Sequence, residues 1–515
     1  MFSQFKNRER YPFWFELAPL LLTVVLLMVQ FFVFKDYTPH VPLVVGICIT
    51  GIFMALKGRK WAGMEQHMYR VMKVALPTTV IILCVGMMIA ASIAAGTVQT
   101  VLVYGLSILK PTVFLPATCI LTTVVSLATG TSWGTVGTVG LAMVGIGEAL
   151  GVPMHWTVGA ICSGSFFGDK MSPLSDTTNL APAVSGSELF DHIRAMMWTT
   201  LPTLLIVVVI SLLMGSAVRE MDNSRVELIQ GMMRAEFRIS AWGIVPPAVI
   251  LVMALLKIPA IPGIVGGLCA GLLLSLFQGA SLHEALKVFF YGYEPSQLSA
   301  FAAATTPEAV NAAAAGAGTL FASVSDPAEF AKVGGLLTRL FTRGGMTSML
   351  ETICLIVVAL SLGGIMEACG FLDVILEALM RRVRSVFGLI ASVIASSFVA
   401  NVFLSEQYLA IIVPGRMFRR AFDERSWDGR RLAPSMLSRS LEDSGTMTSV
   451  LVPWNTCGVY VSAVLGVPTL AYAPYCFLNW LNPIVALTMT WLGIAVTWRH
   501  GDRRHALPEV LPADP

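Results

Sequence analysis

Apolar runs as long as a lipid bilayer is thick recur along this chain and constrain its fold more than any motif does. They fall at residues 15–34, 41–56, 74–108, 197–217, 240–256, 259–279, 347–369 and 470–498. Most are close to the roughly 20 residues that a helix needs to cross the hydrocarbon core. The composition agrees: 56% of the 515 residues are hydrophobic and 13% charged, with a mean hydropathy of +0.75, against about 25% charged in soluble domains. The runs predict an all-α polytopic membrane protein with at least eight spans. The first run follows a short basic stretch, FSQFKNRER, with no small-residue cleavage site, so it reads as a retained helix and not as a signal peptide.

The net charge of +3 gives no reason to expect a nucleic-acid partner; the placement of the positive charges carries the information. Lys57, Arg59, Lys60, Arg70 and Lys73 stand against Glu65, and residues 416–439 hold seven arginines against three acids. The tail adds Arg499, Arg503 and Arg504. By the positive-inside rule these segments and both termini are cytoplasmic, while 218–238 and 280–346 lie outside. The nine cysteines are scattered through apolar runs without CxxC or Cys/His spacing, as small core residues are.

Between Arg384 and Arg416, both on the inner side, lie only about 31 mostly apolar residues. Two helices of about 15 residues would each reach roughly 23 Å, too short to cross a core of about 30 Å. A re-entrant hairpin with its tip at "ANVFLSEQ" resolves the count, provided the tip is buried in protein or lines a cavity. Residues 111–129, "ATGTSWGTVG" and 139–150 form a counterpart in the first half. Each hairpin precedes a polar-interrupted helix, "GSFFGDKMSPLSDTTNLAP" and "LEDSGTMTSVLVPWNTCG". The layout predicts an inverted repeat: 1–14 as N-terminus, 15–217 as the first unit, 218–239 as a connecting loop, 240–498 as the second unit with an outer segment at 280–346, and 499–515 as tail. Paired interrupted helices mark a transporter's binding site.

Eight of the eleven residues from Asp169 to Asn179 are charged or hydrogen-bonding, and ionised groups at that depth cost about 2.5–3.5 kcal/mol each on insertion scales. Pro173 removes an amide donor and frees carbonyls. Together with Asp169, Asp176, Ser172, Ser175, Thr177, Thr178 and Asn179 this makes an oxygen-rich environment of the kind hard cations prefer. The competing reading is structural: Asp169 and Lys170 pair with other buried groups, and the hydroxyls bond back to the helix. In the second break Asp443 is favoured over Glu442 as the site carboxylate, with Ser444, Thr446, Asn455 and Thr456 beside it, and Glu442 is free to pair with a cytoplasmic arginine. Ser405 and Glu406 sit at the second tip, Glu406 as site carboxylate or as anchor of the tip. "GTSWG" matches the hydrolase nucleophile elbow, but that motif needs a strand-turn-helix setting and a histidine; Thr131 and Ser132 at a hairpin tip read as ligand contacts, and no enzyme is expected.

These same segments, "SLATGTSWGTVGTVG", "GDKMSPLSDTTNLAPA", "LSEQYLAIIVPG" and "LEDSGTMTSVLVPWNTCG", resemble the NhaC family of bacterial sodium/proton antiporters across roughly 15–498. The resemblance implies an ion-transporter-superfamily fold with a scaffold, a transport domain carrying two opposed hairpins, and a homodimer in the inner membrane. It implies that the tips at 130–134 and 401–407 and the breaks at 169–179 and 443–455 converge; Asp169, Asp176 and Asp443 are then expected as proton and cation carriers, with sodium held by Asp169 and Asp176 and the hydroxyl and amide residues above as neutral ligands. No cofactor is implied; sodium and protons are the substrates. The family also includes members similar to malate/lactate exchangers, so an organic-acid or amino-acid solute is the alternative, with Lys170 holding its carboxylate.

Overall fold

The computed structural model describes residues 13–499 apart from 37, 75, 219–222, 257, 317–325, 371–382 and 428. Arg503, Arg504 and most of both termini, like part of the alanine-rich 295–327, lie outside the described residues. The described chain is helical, and several of the apolar runs are not single helices. After α1 (Phe13–Met28), α2 (His40–Leu56) and α3 (Trp61–Val74), the run 74–108 divides into α4 (Leu76–Ala94) and α5 (Thr97–Ile108). They meet at 62° because Gly96 adopts φ +75°, a left-handed conformation natural only to glycine. Four helices of the described chain are individually long and apolar enough to cross a membrane, or up to seven spans if each bent pair counts as one. Hydropathy alone does not see such breaks.

The first hairpin consists of α6 (Pro111–Thr129) and α7, built from Ser132–Thr135, a π-helical turn Val136–Gly140 and Leu141–Ala149. Two residues turn the chain: Gly130 at φ +72° and Thr131, whose hydroxyl oxygen accepts a hydrogen bond from Gly134 N at 3.3 Å. Then come α8 (Met154–Met171), α9 (Asp176–Ser185) and α10 (Leu189–Ser216).

The segment 218–239, expected as a connecting loop, instead holds a helix, α11 (Asn223–Glu236), and α12 (Val245–Leu255) and α13 (Ala260–Phe277) follow. Four short helices follow, α14 (Leu282–Tyr291), α15 (Ser296–Ala303), α16 (Pro307–Gly316) and α17 (Pro327–Phe341). After α18 (Leu350–Cys369), the second hairpin pairs α19 (Val386–Leu404) with α20 (Gln407–Glu424). Its turn repeats the first: Ser405 at φ +58°, then Glu406, whose carboxylate accepts a hydrogen bond from Leu409 N at 3.1 Å. The last helices are α21 (Pro434–Leu441, a π-helical turn Glu442–Thr446, Met447–Ser449), α22 (Thr456–Leu465), α23 (Thr469–Tyr472) and α24 (Phe477–Trp491). The half-helices α9 and α22 both have ten residues and both end on a left-handed glycine, Gly186 and Gly466.

Each half-helix runs alongside the second arm of the other half's hairpin. Gly415 of α20 packs on Val184 of α9, while Gly137 of α7 packs on the Tyr460 hydroxyl of α22. Tyr460 also donates to Trp133 O at 2.8 Å and its ring stacks on that of Trp133 at 4.3 Å. The close packing of α6 against α8 depends on small residues spaced four apart. A Cβ at Gly164 would overlap the Thr122 hydroxyl and the Cys119 carbonyl, and one at Gly168 would overlap the backbone at Ser126 and Leu127, the small-xxx-small device of membrane helices. Gly164→Ala is therefore expected to cost upwards of about 1–3 kcal/mol and to lower the melting temperature in detergent. Gly63→Ala in α3, where a Cβ meets nothing within 4 Å, should leave it unchanged or raise it.

Candidate functional site

The two hairpin tips and the two half-helix starts converge on one cavity of ≈ 600 Å³. Ser132 opens α7, Gln407 opens α20, Asp176 opens α9 and Thr456 opens α22, and all four line it. Helix N-termini carry roughly half a positive charge each, yet these are complemented from within the chain. Thr131 and Glu406 cap their own helices, the Asn455 amide oxygen accepts from Cys457 N at 3.1 Å, and Asp176 stands in the first turn of α9. The carboxylates of Asp169, Asp176 and Glu406 all belong to the cavity wall, with the hydroxyl residues Thr131, Ser132, Thr177 and Thr456.

Asp169 is buried and joins the first tip to the first break. It accepts from Ser132 Oγ at 2.7 Å and from Ser175 Oγ at 2.7 Å, and Thr177 lies 3.1 Å from the Ser175 hydroxyl. The remaining polar residues of the stretch serve the break itself. Thr178 Oγ1 donates to the carbonyls of Asp169 and Lys170 at 2.9 and 2.8 Å, Asn179 Nδ2 donates to those of Pro173 and Ser175 at 2.9 and 2.7 Å, and Ser172 Oγ accepts from Leu174 N at 3.3 Å. Non-helical backbone inside a membrane requires such satisfaction. The ligand reading and the structural reading thus divide the stretch between them: Asp169, Asp176 and Thr177 face the cavity, and Ser172, Thr178 and Asn179 hold the turn. Ser132, within the elbow-like motif, sits at the tip of a helical hairpin with its hydroxyl on Asp169, which is not the strand-turn-helix that motif requires.

Lys170 and Asp443 do not line the cavity. Lys170 Nζ donates to Asp443 Oδ1 at 2.5 Å with both side chains fully buried, so the lysine expected to greet a substrate carboxylate is already paired. Arg439 Nε lies 3.5 Å from Asp443 Oδ2, and Asp443 Oδ1 also accepts from Thr199 Oγ1 at 2.9 Å and Asn482 Nδ2 at 2.8 Å. Two sequence expectations are corrected here. Arg439 does not belong with the arginine segment expected to be cytoplasmic; one turn of helix places it, fully buried, over Asp443. And among the described ion pairs Glu442 has none with arginine, since the arginine goes to Asp443; Glu442 is itself fully buried.

In the second break, Ser444 Oγ donates to Ile394 O at 2.8 Å, pinning α21 to the hairpin, and Thr446 is buried away from the cavity wall. Asn455 Nδ2 reaches the carbonyl and side-chain oxygens of Asn401 at 3.2 and 3.1 Å. Asn401 in turn donates to Gly445 O at 2.7 Å, and Thr456 N donates to Ser405 O at 3.0 Å. Ser405 and Asn455 therefore assemble the second tip onto the second break. Glu406 fills both roles left open for it, capping α20 and lining the cavity. The sequence reading missed Gln407, Tyr408 and Trp133 in the wall, and Thr199 and Asn482 on Asp443. Asn482, followed by Pro483 in an apolar run, was the visible signal; Thr199 gave none. Among the described residues no three of His, Cys, Asp and Glu stand close enough to ligate one ion, so a sodium held here would take its remaining oxygens from hydroxyls and carbonyls.

Comparison with known proteins identifies the family. A family model described as the Na+/H+ antiporter family matches residues 164–325 and 299–494. The chain is 35% identical to the Na(+)/H(+) antiporter NhaC of Alkalihalophilus pseudofirmus over 94% of this chain and 96% of that protein. It is 31% identical to the malate-2H(+)/Na(+)-lactate antiporter of Bacillus subtilis over 94% and 96%, and 32% identical to the arginine/ornithine antiporter ArcD of Halobacterium salinarum over 96% and 94%. Both tips and both breaks lie in a chain matched nearly end to end, and the chain belongs to the Na+/H+ antiporter family.

Proposed function

We propose that this protein is a secondary antiporter that exchanges sodium for protons, with Asp169 and Asp176 as the groups that carry one or the other. The observation that carries the reading is the buried Asp169 carboxylate, held by two hydroxyls at the wall of a cavity it shares with Asp176 and Glu406. A carboxylate in an oxygen-lined site binds a hard cation or a proton, and occupancy by one opposes the other. The serine hydroxyls suit both states: they donate to the bare carboxylate, and by rotation about C–O they turn lone pairs toward an ion or toward a carboxylic acid proton. Alternating access then requires the tips and half-helices to present this cluster to either face. The crosswise packing of α9 with α20 and α22 with α7 supports the inverted-repeat division at 15–217 and 240–498. Cytoplasmic termini, an inner-membrane location and a homodimer follow from the charge bias and the resemblance, and cysteine labelling and cross-linking in native membranes test them.

The organic-anion reading loses its residue, because Lys170 is committed to Asp443. Purified protein in liposomes with a trapped pH dye and an imposed proton gradient tests the proposal: sodium alone is expected to collapse the gradient, and collapse only with malate, lactate or an amino acid present would replace sodium as the cargo. In the same assay Asp176→Asn is expected to abolish exchange while the protein stays inserted, since this exposed carboxylate lines the cavity and the change removes its charge and little else. Wild-type rates in that variant would leave Asp169 as the sole carrier.

A further inference from the structure

The cavity has two unlike walls. One is the polar cluster of tips and half-helix starts; the other, contributed by α12 and the start of α13, is apolar, with Pro247, Ala248, Ile250, Leu251 and Ile264 among its residues. A sodium ion uses only the first wall. At ≈ 600 Å³ the space lies within the roughly 300–1,000 Å³ range of small-organic-molecule sites. The polar wall also holds groups with nothing to bond: Thr456 is 1% exposed and its Oγ1 has no hydrogen-bond partner, and the amide nitrogen of Gln407, 5% exposed, likewise has none. Buried polar atoms without partners are costly, and these two stand beside Glu406 at the junction of the second tip and second half-helix.

We propose that the cavity also binds a small organic monocation, a primary alkylammonium whose head takes the place of sodium among the carboxylates and Thr456 while its hydrocarbon tail lies on the α12–α13 wall. The inference rests on the antiporter reading, because it uses the same carboxylates. Charge sets the sign: the described lining residues include Asp169, Asp176 and Glu406 and no lysine, arginine or histidine, and of the four helix N-termini that could hold an anion three are capped by side-chain oxygens while the fourth carries Asp176 in its first turn. An ammonium supplies three donors and no acceptor, which matches the carboxylates and the unpartnered Thr456 hydroxyl oxygen; the Gln407 amide nitrogen, itself a donor, is not satisfied by it. An apolar tail of three to five carbons supplies the contact that the opposite wall offers.

The test is isothermal titration calorimetry of the full chain in detergent at neutral pH, with sodium, methyl-, propyl- and pentylammonium, and pentanoate. The ammonium ions are expected to compete with sodium, apparent sodium affinity falling in proportion to ammonium concentration, and to tighten about fourfold per added methylene. Pentanoate should not compete. Leu251→Ser should reduce the gain from chain length while leaving sodium binding intact. Sodium binding without ammonium competition, or competition indifferent to chain length, overturns this inference and leaves the antiporter reading standing. Absence of sodium binding overturns both, and competition by pentanoate would reverse the sign of charge assigned to the cavity.

Discussion

Asp169→Asn is expected to eliminate sodium-driven proton movement in liposomes, lowering the initial rate by at least about 100-fold, while the purified protein melts at or above the wild-type temperature. Asparagine has the shape of aspartate, and its side-chain oxygen can still accept from Ser132 or Ser175; the other serine can accept from the new amide, since a hydroxyl both donates and accepts. The two hydrogen bonds of 2.7 Å thus have neutral replacements, each typically worth about 1 kcal/mol net. Burial of an ionised carboxylate is costly, so removing the charge returns that cost. What asparagine lacks is a titratable group: it neither releases a proton on meeting sodium nor neutralises the ion. Ser132→Ala and Ser175→Ala keep the carboxylate and lose one charge-assisted bond each, about 1.5–3 kcal/mol, so sodium affinity should drop roughly tenfold to a hundredfold with exchange still measurable. Wild-type exchange by the asparagine variant would remove Asp169 from the mechanism. A lowered melting point would mean the carboxylate is a structural tie between tip and break.

The sequence made the membrane class, both hairpins and both interruptions legible because each is a one-dimensional signal. Apolar length, a count of residues between two arginine-bearing segments, and polar residues inside apolar runs all survive without coordinates. Asp169 and Asp176 were readable for that reason. The bend at Gly96 was not, since hydropathy averages over it, and so the run 74–108 read as one stretch. Roles within a polar cluster were also hidden. Thr178 and Ser175 are three residues apart with similar chemistry, yet one serves the backbone and the other the carboxylate, a distinction set by where the turn after Met171 directs each side chain. Asp443 and Glu442 show the same limit. Their separation on the helix was foreseeable, but the partners deciding their roles, Lys170, Thr199 and Asn482, come from three distant segments.

Asp443→Asn should be among the most destabilising single changes in the protein. Asp443 is the carboxylate that Lys170 and Arg439 share, at 2.5 and 3.5 Å, with all three side chains fully buried. Removing one member of a buried ion pair typically costs about 3–5 kcal/mol, because the remaining charge is left without compensation, and here two cations lose one partner. Lys170→Met should be milder: it leaves Asp443 with Arg439, one charge of each sign. The double variant Lys170→Met/Asp443→Asn restores the net charge but leaves Arg439 without its carboxylate, so it should melt above Asp443→Asn alone and below Lys170→Met, a coupling that a double-mutant cycle measures directly. The double variant also separates two roles for Asp443. If it is the counter-ion that ties the first break to the second, the repaired double variant exchanges sodium for protons at rates near wild type. If Asp443 is itself a proton carrier, the double variant folds and does not exchange. The geometry favours the first outcome, since Asp443 is absent from the cavity wall that Asp169, Asp176 and Glu406 share and its carboxylate is already engaged by Lys170, Arg439, Thr199 and Asn482.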